Sequence, residues 1–145
     1  MPSIIIIETD PPIDPLPSFA GDSAPLVYFL SFAFAGRYGS QHELTKASLL
    51  LRTGAHKIDL KPLLTFADRD VEDEADRLEL ERVWQDATPL AECCRRVVQA
   101  IDADAAVREQ FAEFPALRDL IEELGRIALE AAAHGARIRV TYTME

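Results

Sequence analysis

The chain has 145 residues, of which 48% are hydrophobic and 28% are charged, a balance that excludes a disordered polymer and fits one globular domain over residues 1–145. Its formal net charge is −10, which repels phosphate backbones and anionic lipid headgroups, so we expect neither nucleic acid nor a membrane surface as a partner. The acidity is uneven, because residues 1–67 carry a net charge of −1 and residues 68–145 a net charge of −9.

The cysteine content and the N-terminus predict a cytoplasmic protein. The only two cysteines, Cys93 and Cys94, are adjacent, so they cannot easily form a disulfide with each other, and such usage favours a reducing compartment. The N-terminus has no basic segment before its short apolar run, which is not typical of a signal peptide. The longest apolar run, 26–35, is about half the length that a membrane-spanning helix needs.

The first 25 residues predict one strand followed by an irregular strap. The run Ile4–Ile7 is β-branched throughout, and it predicts a strand over 4–8 that is covered on both faces. Five prolines fall within 9–25, which predicts an extended loop because proline has no N–H to donate. We expect this loop to lie across the surface, anchored by its three large apolar residues, Ile13, Leu16 and Phe19.

Large and small side chains alternate over 26–35, with Leu26 and Phe32 on the bulky side, and this alternation predicts a second strand. The segment 41–53 has two interpretations. A helix is favoured, because Ser40 and Glu43 form a capping box and Gly54 suits the position after a helix. The alternative is a strand that turns at Gly54 into an alternating strand over 56–60.

The second half predicts four helices and a closing strand. The first helix is expected over 71–86, with Val71, Ala75, Leu78 and Trp84 as inward positions. The second is capped by Thr88, with Pro89 in its first position. The third runs from a cap at Asp104 to Phe111, and the fourth from Pro115 to Gly135. The strand 137–143 alternates, so one side is expected on the helices. The predicted fold class is therefore α+β, with a small mixed or antiparallel sheet of three to five strands and several helices packed on one face.

One loop could bind an anionic ligand. Following the predicted strand at 26–35, Arg37 could anchor a carboxylate or phosphate and Tyr38 could stack on it. Free N–H groups near Ser40 would favour an anion, His42 could transfer a proton, and Lys46 adds a positive charge. The same residues also fit an ordinary turn followed by a capped helix, since no phosphate-loop motif is present.

The sequence predicts neither a metal site nor a cofactor. Six acids between Asp68 and Glu79 have the spacing of a calcium-binding loop, but Asp73 stands where that loop requires glycine. We interpret them as acid-rich residues around a helix N-terminus. His42, His56 and His134 show no ligand spacing, and Cys93 and Cys94 fall within an apolar helical stripe, which is typical of core residues.

Two functions are consistent with the sequence. The first is a non-enzymatic interaction or accessory protein that associates with itself or with a basic protein, through an acidic surface or through the closing strand 137–143 at an open edge of the sheet. The second is a binding protein or enzyme for a small anionic molecule, which uses the loop 36–46. The first is favoured, because no catalytic motif is present in the sequence.

Overall fold

The computed structural model describes residues 3–15, 17–34 and 43–144. Within these ranges the chain is an α+β fold with a mixed sheet, as predicted. The strands are β1 (Ser3–Asp10), β2 (Phe66–Asp68), β3 (Trp84–Asp86) and β4 (Arg137–Met144). The helices are α1 (Ala24–Phe34), α2 (Glu43–Arg52), α3 (Glu74–Arg82), α4 (Ala87–Ala103), α5 (Ala105–Gln110) and α6 (Leu117–Ala133).

The last strand, β4, is the centre of the sheet. On one side it pairs antiparallel with β1 along its whole length, from Ser3 opposite Met144 to Asp10 opposite Arg137. On the other side, β2 pairs in parallel with 140–142 and β3 pairs antiparallel with 137–139, so two short strands share one edge. The expectation that β4 is an open edge is therefore wrong, since both of its edges carry partners.

The main core lies between one face of the sheet and the helices. Ile5 and Ile7 of β1 and Ile138 and Val140 of β4 are buried on this face, which contacts the helical layer. On the other face Thr141 is buried, but Ile4 and Ile6 have intermediate exposure, so the β1 run is covered on one face and only partly on the other.

The strand predicted over 26–35 is wrong, because 26–34 belong to α1, while residue 35 lies outside the described residues. Its buried positions include Leu26, Phe29, Leu30 and Ala33, which follow the helical repeat, whereas Tyr28 between them is 49% exposed. A continuous apolar run does not distinguish a strand from a buried helix, and size alternation was the misleading feature.

The helical interpretation of 41–53 is confirmed for Glu43–Arg52, while 41–42 lie outside the described residues. Gly54 has a φ of +65°, as expected after a helix end. The segment 56–60 forms no strand. Its Ile58 and Leu60 are buried as predicted, but the Ile58 N–H donates to the Leu51 carbonyl at the end of α2 and not to a neighbouring strand.

The prediction for 71–86 is only partly right. The helix is the shorter α3, capped by Asp73, whose side chain accepts the Asp76 N–H. None of its residues is buried, Val71 and Leu78 are exposed, and Trp84 belongs to β3. The inward positions are wrong because this charged segment lies at the rim of the sheet, where the chain turns into β3.

The remaining predictions largely hold. Helix α4 begins at Ala87 with Asp86 in the cap position, so the cap is two residues earlier than predicted. The Asp104 side chain caps α5 by accepting the Ala106 N–H, as expected. The strap is anchored by Ile13, which is buried, and by Phe19, which packs on the core, while Leu16 lies outside the described residues.

Candidate interaction surface

Helices α4 and α6 are the two longest helices of the described residues. Both have 17 residues, and their apolar side chains repeat at helical spacing, so that nine residues of α4 and eight of α6 are buried. In α4 the buried stripe includes Leu90, Cys94 and Val97, and in α6 it includes Leu117, Ile121 and Leu124. These stripes face the core, and the opposite sides of both helices are exposed.

The two helices approach each other closely at a glycine. A Cβ atom placed on Gly125 would lie 3.0 Å from the Cβ of Cys94, so only glycine allows this separation without a shift. A second contact fixes their direction, since Arg118 near the start of α6 binds Asp102 near the end of α4 with N–O distances of 2.9 and 2.8 Å. The helices are therefore antiparallel, with Gly125 level with Cys94.

A groove of about 280 Å³ lies between the outer sides of α4 and α6. We call it the α4–α6 groove. Its apolar lining comes from both helices and consists of Ala91, Cys94, Val98, Gly125 and Leu129. Leu129 is 61% exposed, the highest value among the large apolar side chains of the described residues. A mostly apolar concavity beside an exposed leucine is a candidate site for another molecule.

Four charged side chains border the groove, Glu92 and Arg95 on α4 and Glu122 and Arg126 on α6. Glu92 and Arg95 form an ion pair within α4, and Glu122 lies 3.1 Å from Arg118. The hydrogen bond from Arg95 lowers the pKa of Glu92, so this carboxylate remains ionised at neutral pH. The border therefore carries two charges of each sign.

The two cysteines are unsuited to act as nucleophiles at neutral pH. Both are free and buried. Burial raises the pKa of the Cys93 thiol to about 11 and raises that of Cys94 further. Because the thiolate is the reactive form, both side chains act as apolar packing residues, as the sequence predicts.

Most of the predicted anion-binding loop lies outside the described residues, namely Arg37, Tyr38, Ser40 and His42. Lys46 is described, and its side chain is exposed on α2. Whether Lys46 meets the other four therefore stays a prediction.

Five of the six acidic residues that resemble a calcium-binding loop, all except Glu74, line a concavity of about 420 Å³ beside β2 and α3. Several of these carboxylates accept backbone N–H groups: Asp68 accepts from Asp70, and Asp76 accepts from Glu72. Among the described residues, no group of three or more side chains is placed to hold a metal ion. Within the run, Asp73 caps α3 by accepting the Asp76 N–H, which agrees with the interpretation as residues around a helix N-terminus.

His56 is held in a structural contact. Its Nε2 lies 2.7 Å from Oδ2 of Asp104, whose other oxygen caps α5. The hydrogen bond from His56 is the largest of the influences that lower the pKa of Asp104. Together with the bond from Arg96 to the His56 carbonyl, this contact fastens the loop after α2 to α4 and α5.

Comparisons with protein-family models, with curated proteins and with solved structures each found no match to this chain. No helix of the described ranges is both long and apolar enough to cross a bilayer. The candidate surface therefore depends on geometry alone.

The α4–α6 groove is not among the sites predicted from the sequence. Two signals for it are present in α6, a glycine in the middle of the helix and Leu129 outside the buried stripe. An isolated glycine in a helix costs about 1 kcal/mol relative to alanine, so it indicates a close packing contact.

Proposed function

We propose that this chain is a non-enzymatic interaction or accessory protein of the cytosol, that it forms homo-oligomers, and that the α4–α6 groove is its docking surface. The observation that carries the proposal is the groove itself, with Leu129 61% exposed above an apolar floor. Covering apolar surface is the main driving force of protein association. A reducing compartment fits the two free cysteines in the core.

The route to self-association differs from the one that the sequence suggests. An open terminal strand would allow two sheets to join edge to edge, but β4 has partners on both sides. The helical face is the better candidate, because α4 and α6 are firmly packed into the core and present a preformed surface. A preformed surface loses little conformational entropy on binding.

A basic protein is the alternative partner. It would bind the acidic segment 68–82, which has eight acidic and three basic residues. Exposed ion pairs contribute about 0–1 kcal/mol each and are screened by salt. Burial of one exposed leucine contributes about 1.5–3 kcal/mol. The groove is therefore the stronger surface, although the acidic segment could speed the approach of a basic protein.

The experiment is sedimentation velocity from about 1 µM to 1 mM, on the wild type and on two variants that place a charge at an exposed leucine. Leu129→Glu lies in the groove, and Leu78→Glu is the matched control on α3, where the leucine is 45% exposed. We expect Leu129→Glu to weaken association at least tenfold, since a tenfold change corresponds to about 1.4 kcal/mol. Leu78→Glu should associate like the wild type.

A wild type that stays at 16.1 kDa over this range would refute self-association. Equal weakening by both variants would place the contact outside the groove. Circular dichroism on each variant excludes unfolding as the cause.

A further inference from the structure

The charges around the α4–α6 groove are arranged in a diagonal pattern. Because α4 and α6 are antiparallel with Gly125 beside Cys94, Glu92 lies approximately level with Arg126, and Arg95 lies approximately level with Glu122. Each level therefore has one acid and one base facing each other across the groove, and the order of the signs reverses from one level to the next.

This pattern is complementary to itself. When two copies are placed face to face by a two-fold axis parallel to the helices, Glu92 of one copy meets Arg126 of the other, and Arg95 meets Glu122. When the axis lies in the same plane but across the helices, Glu92 meets Arg95 and Glu122 meets Arg126. In either case every border charge faces its opposite, which is the requirement for an isologous contact.

The local charge also favours a second copy. The chain has a net charge of −10, so most faces of two copies repel each other. The four border charges sum to zero, and the floor between them is apolar. Two copies therefore meet with little repulsion when they meet at this groove. A strongly basic partner would find more complementary charge over 68–82.

The size of the face sets the expected strength. Helices of 17 residues are about 25 Å long and pack about 8–10 Å apart, so the two-helix face covers on the order of 500 Å². A contact between two such faces buries on the order of 1,000 Å², the lower limit for a specific interface. We therefore expect a weak and reversible contact, since transient complexes occupy the low end of interface sizes.

We infer that the occupant of the α4–α6 groove is a second copy of this chain, bound face to face about a two-fold axis, with the border charges of each copy paired to those of the other. This inference rests on the proposed function and gives it a partner and a geometry. The pairs Glu92–Arg95 and Glu122–Arg118 within one chain are half-exposed, so their side chains can turn to the other copy.

The test uses two double variants with reversed charges. Arg95→Glu with Arg126→Glu makes the border fully acidic, and Glu92→Arg with Glu122→Arg makes it fully basic. The matched controls carry the same reversals on α3, Arg77→Glu with Arg82→Glu and Glu74→Arg with Glu79→Arg, at side chains that are 59–71% exposed. All are measured by sedimentation velocity, alone and in 1:1 mixtures.

We expect each groove variant alone to associate at least tenfold more weakly than the wild type, because like charges then face each other. Their mixture should form a 1:1 heterodimer at least as tight as the wild-type dimer, and 0.5 M NaCl should weaken it. Each α3 control, measured alone, should self-associate like the wild type, except for the change in affinity that its altered net charge causes.

Three results would overturn the inference. The groove variants could dimerise like the wild type, or their mixture could stay monomeric. The α3 controls could also lose association when measured alone and regain it in their 1:1 mixture. These results differ from failure of the proposed function, which is a wild type that never associates. If association of the wild type depends on Leu129 but the mixture of groove variants remains monomeric, the groove is still the contact surface and the two-fold charge pairing is refuted.

Discussion

Helix α3 and the pair α4–α6 show two ways in which one chain holds a helix in place. The nine residues of α3 include none that is buried, whereas nine of 17 are buried in α4 and eight of 17 in α6. Helix α3 is instead held by polar contacts at its two ends, the Asp73 cap and a hydrogen bond from Arg139 to the Leu80 carbonyl. The comparison indicates that apolar spacing supports the core, while local hydrogen bonds support the acidic rim.

The strongest test of this difference compares two leucines. Leu124 in α6 is 1% exposed and Leu78 in α3 is 45% exposed. Leu124→Ala should lower the free energy of unfolding by about 2–5 kcal/mol, because it leaves a cavity. Leu78→Ala should change it by about 0.5 kcal/mol. Urea titrations of the two variants measure both values, and similar losses would mean that α3 is part of the core.

The next effect concerns the arginine that holds α3. Arg139 donates two hydrogen bonds to Glu8 and one to the Leu80 carbonyl, and it lies 4.6 Å from the centre of the Trp84 ring. Arg139→Ala should cost about 1–3 kcal/mol, since the side chain is only 14% exposed and its partners lose charged hydrogen bonds. Hydrogen exchange should show faster exchange of α3 amides than of α6 amides.

Arg69→Ala is the matched control for that experiment. Arg69 binds the same carboxylate, with its Nη1 2.5 Å from Glu8, but its side chain is 41% exposed. We expect a loss below about 1 kcal/mol and unchanged exchange in α3. If both variants loosened α3 equally, the Glu8 carboxylate and not the Leu80 carbonyl would be the decisive contact.

A smaller effect is expected at the cap of α3. Asp73 accepts the Asp76 N–H at 2.9 Å, and the helix has no buried residue to compensate for its loss. Asp73→Ala should destabilise α3 by about 1 kcal/mol, whereas Asp73→Asn retains the acceptor and should restore most of the loss. Amide exchange over 74–82 measures this, and equal behaviour of the two variants would show that the side-chain acceptor is unimportant.

The smallest effect concerns pH. Burial raises the pKa of Glu8, but the hydrogen bonds and charges of Arg139 and Arg69 together lower it below the usual value. Its contribution to stability is therefore complete above the pKa of the unfolded chain, about 4.3, and is lost as the pH falls through the lower folded pKa. Glu8→Gln should flatten the fall in stability over this acidic range. An unchanged slope in acid titrations of unfolding would contradict this.

The sequence predicted the regular elements well where a single period fits the apolar residues. The stripe of α6, the Asp104 cap and the alternation of β4 over 137–140 are all present in the structure. The segment 26–35 was misassigned because every position is apolar or small, so either period fits. The short strands β2 and β3 have three residues each and pair only with β4 among the described strands, so they have little local signal in the sequence.

The candidate site was harder to predict, for a physical reason. The groove has a floor of buried stripe residues, Cys94 and Gly125 among them, and a border of exposed side chains, so its shape depends on how the two helices pack. Glu92 and Arg126 lie far apart in the sequence and become level only through the antiparallel arrangement. Tertiary packing of this kind has no local signature beyond Gly125 and Leu129.

The central position of β4 has a consequence for the order of folding. Its main partner, β1, lies more than 125 residues earlier in the chain, and β2 and β3 pair only with β4. No strand of this sheet can find its described partner before 137–144 are available, whereas α4 and α6 are separated by only 13 residues. Joining such distant segments is slow, so sheet closure should be the rate-limiting step and a nascent helical layer should precede it.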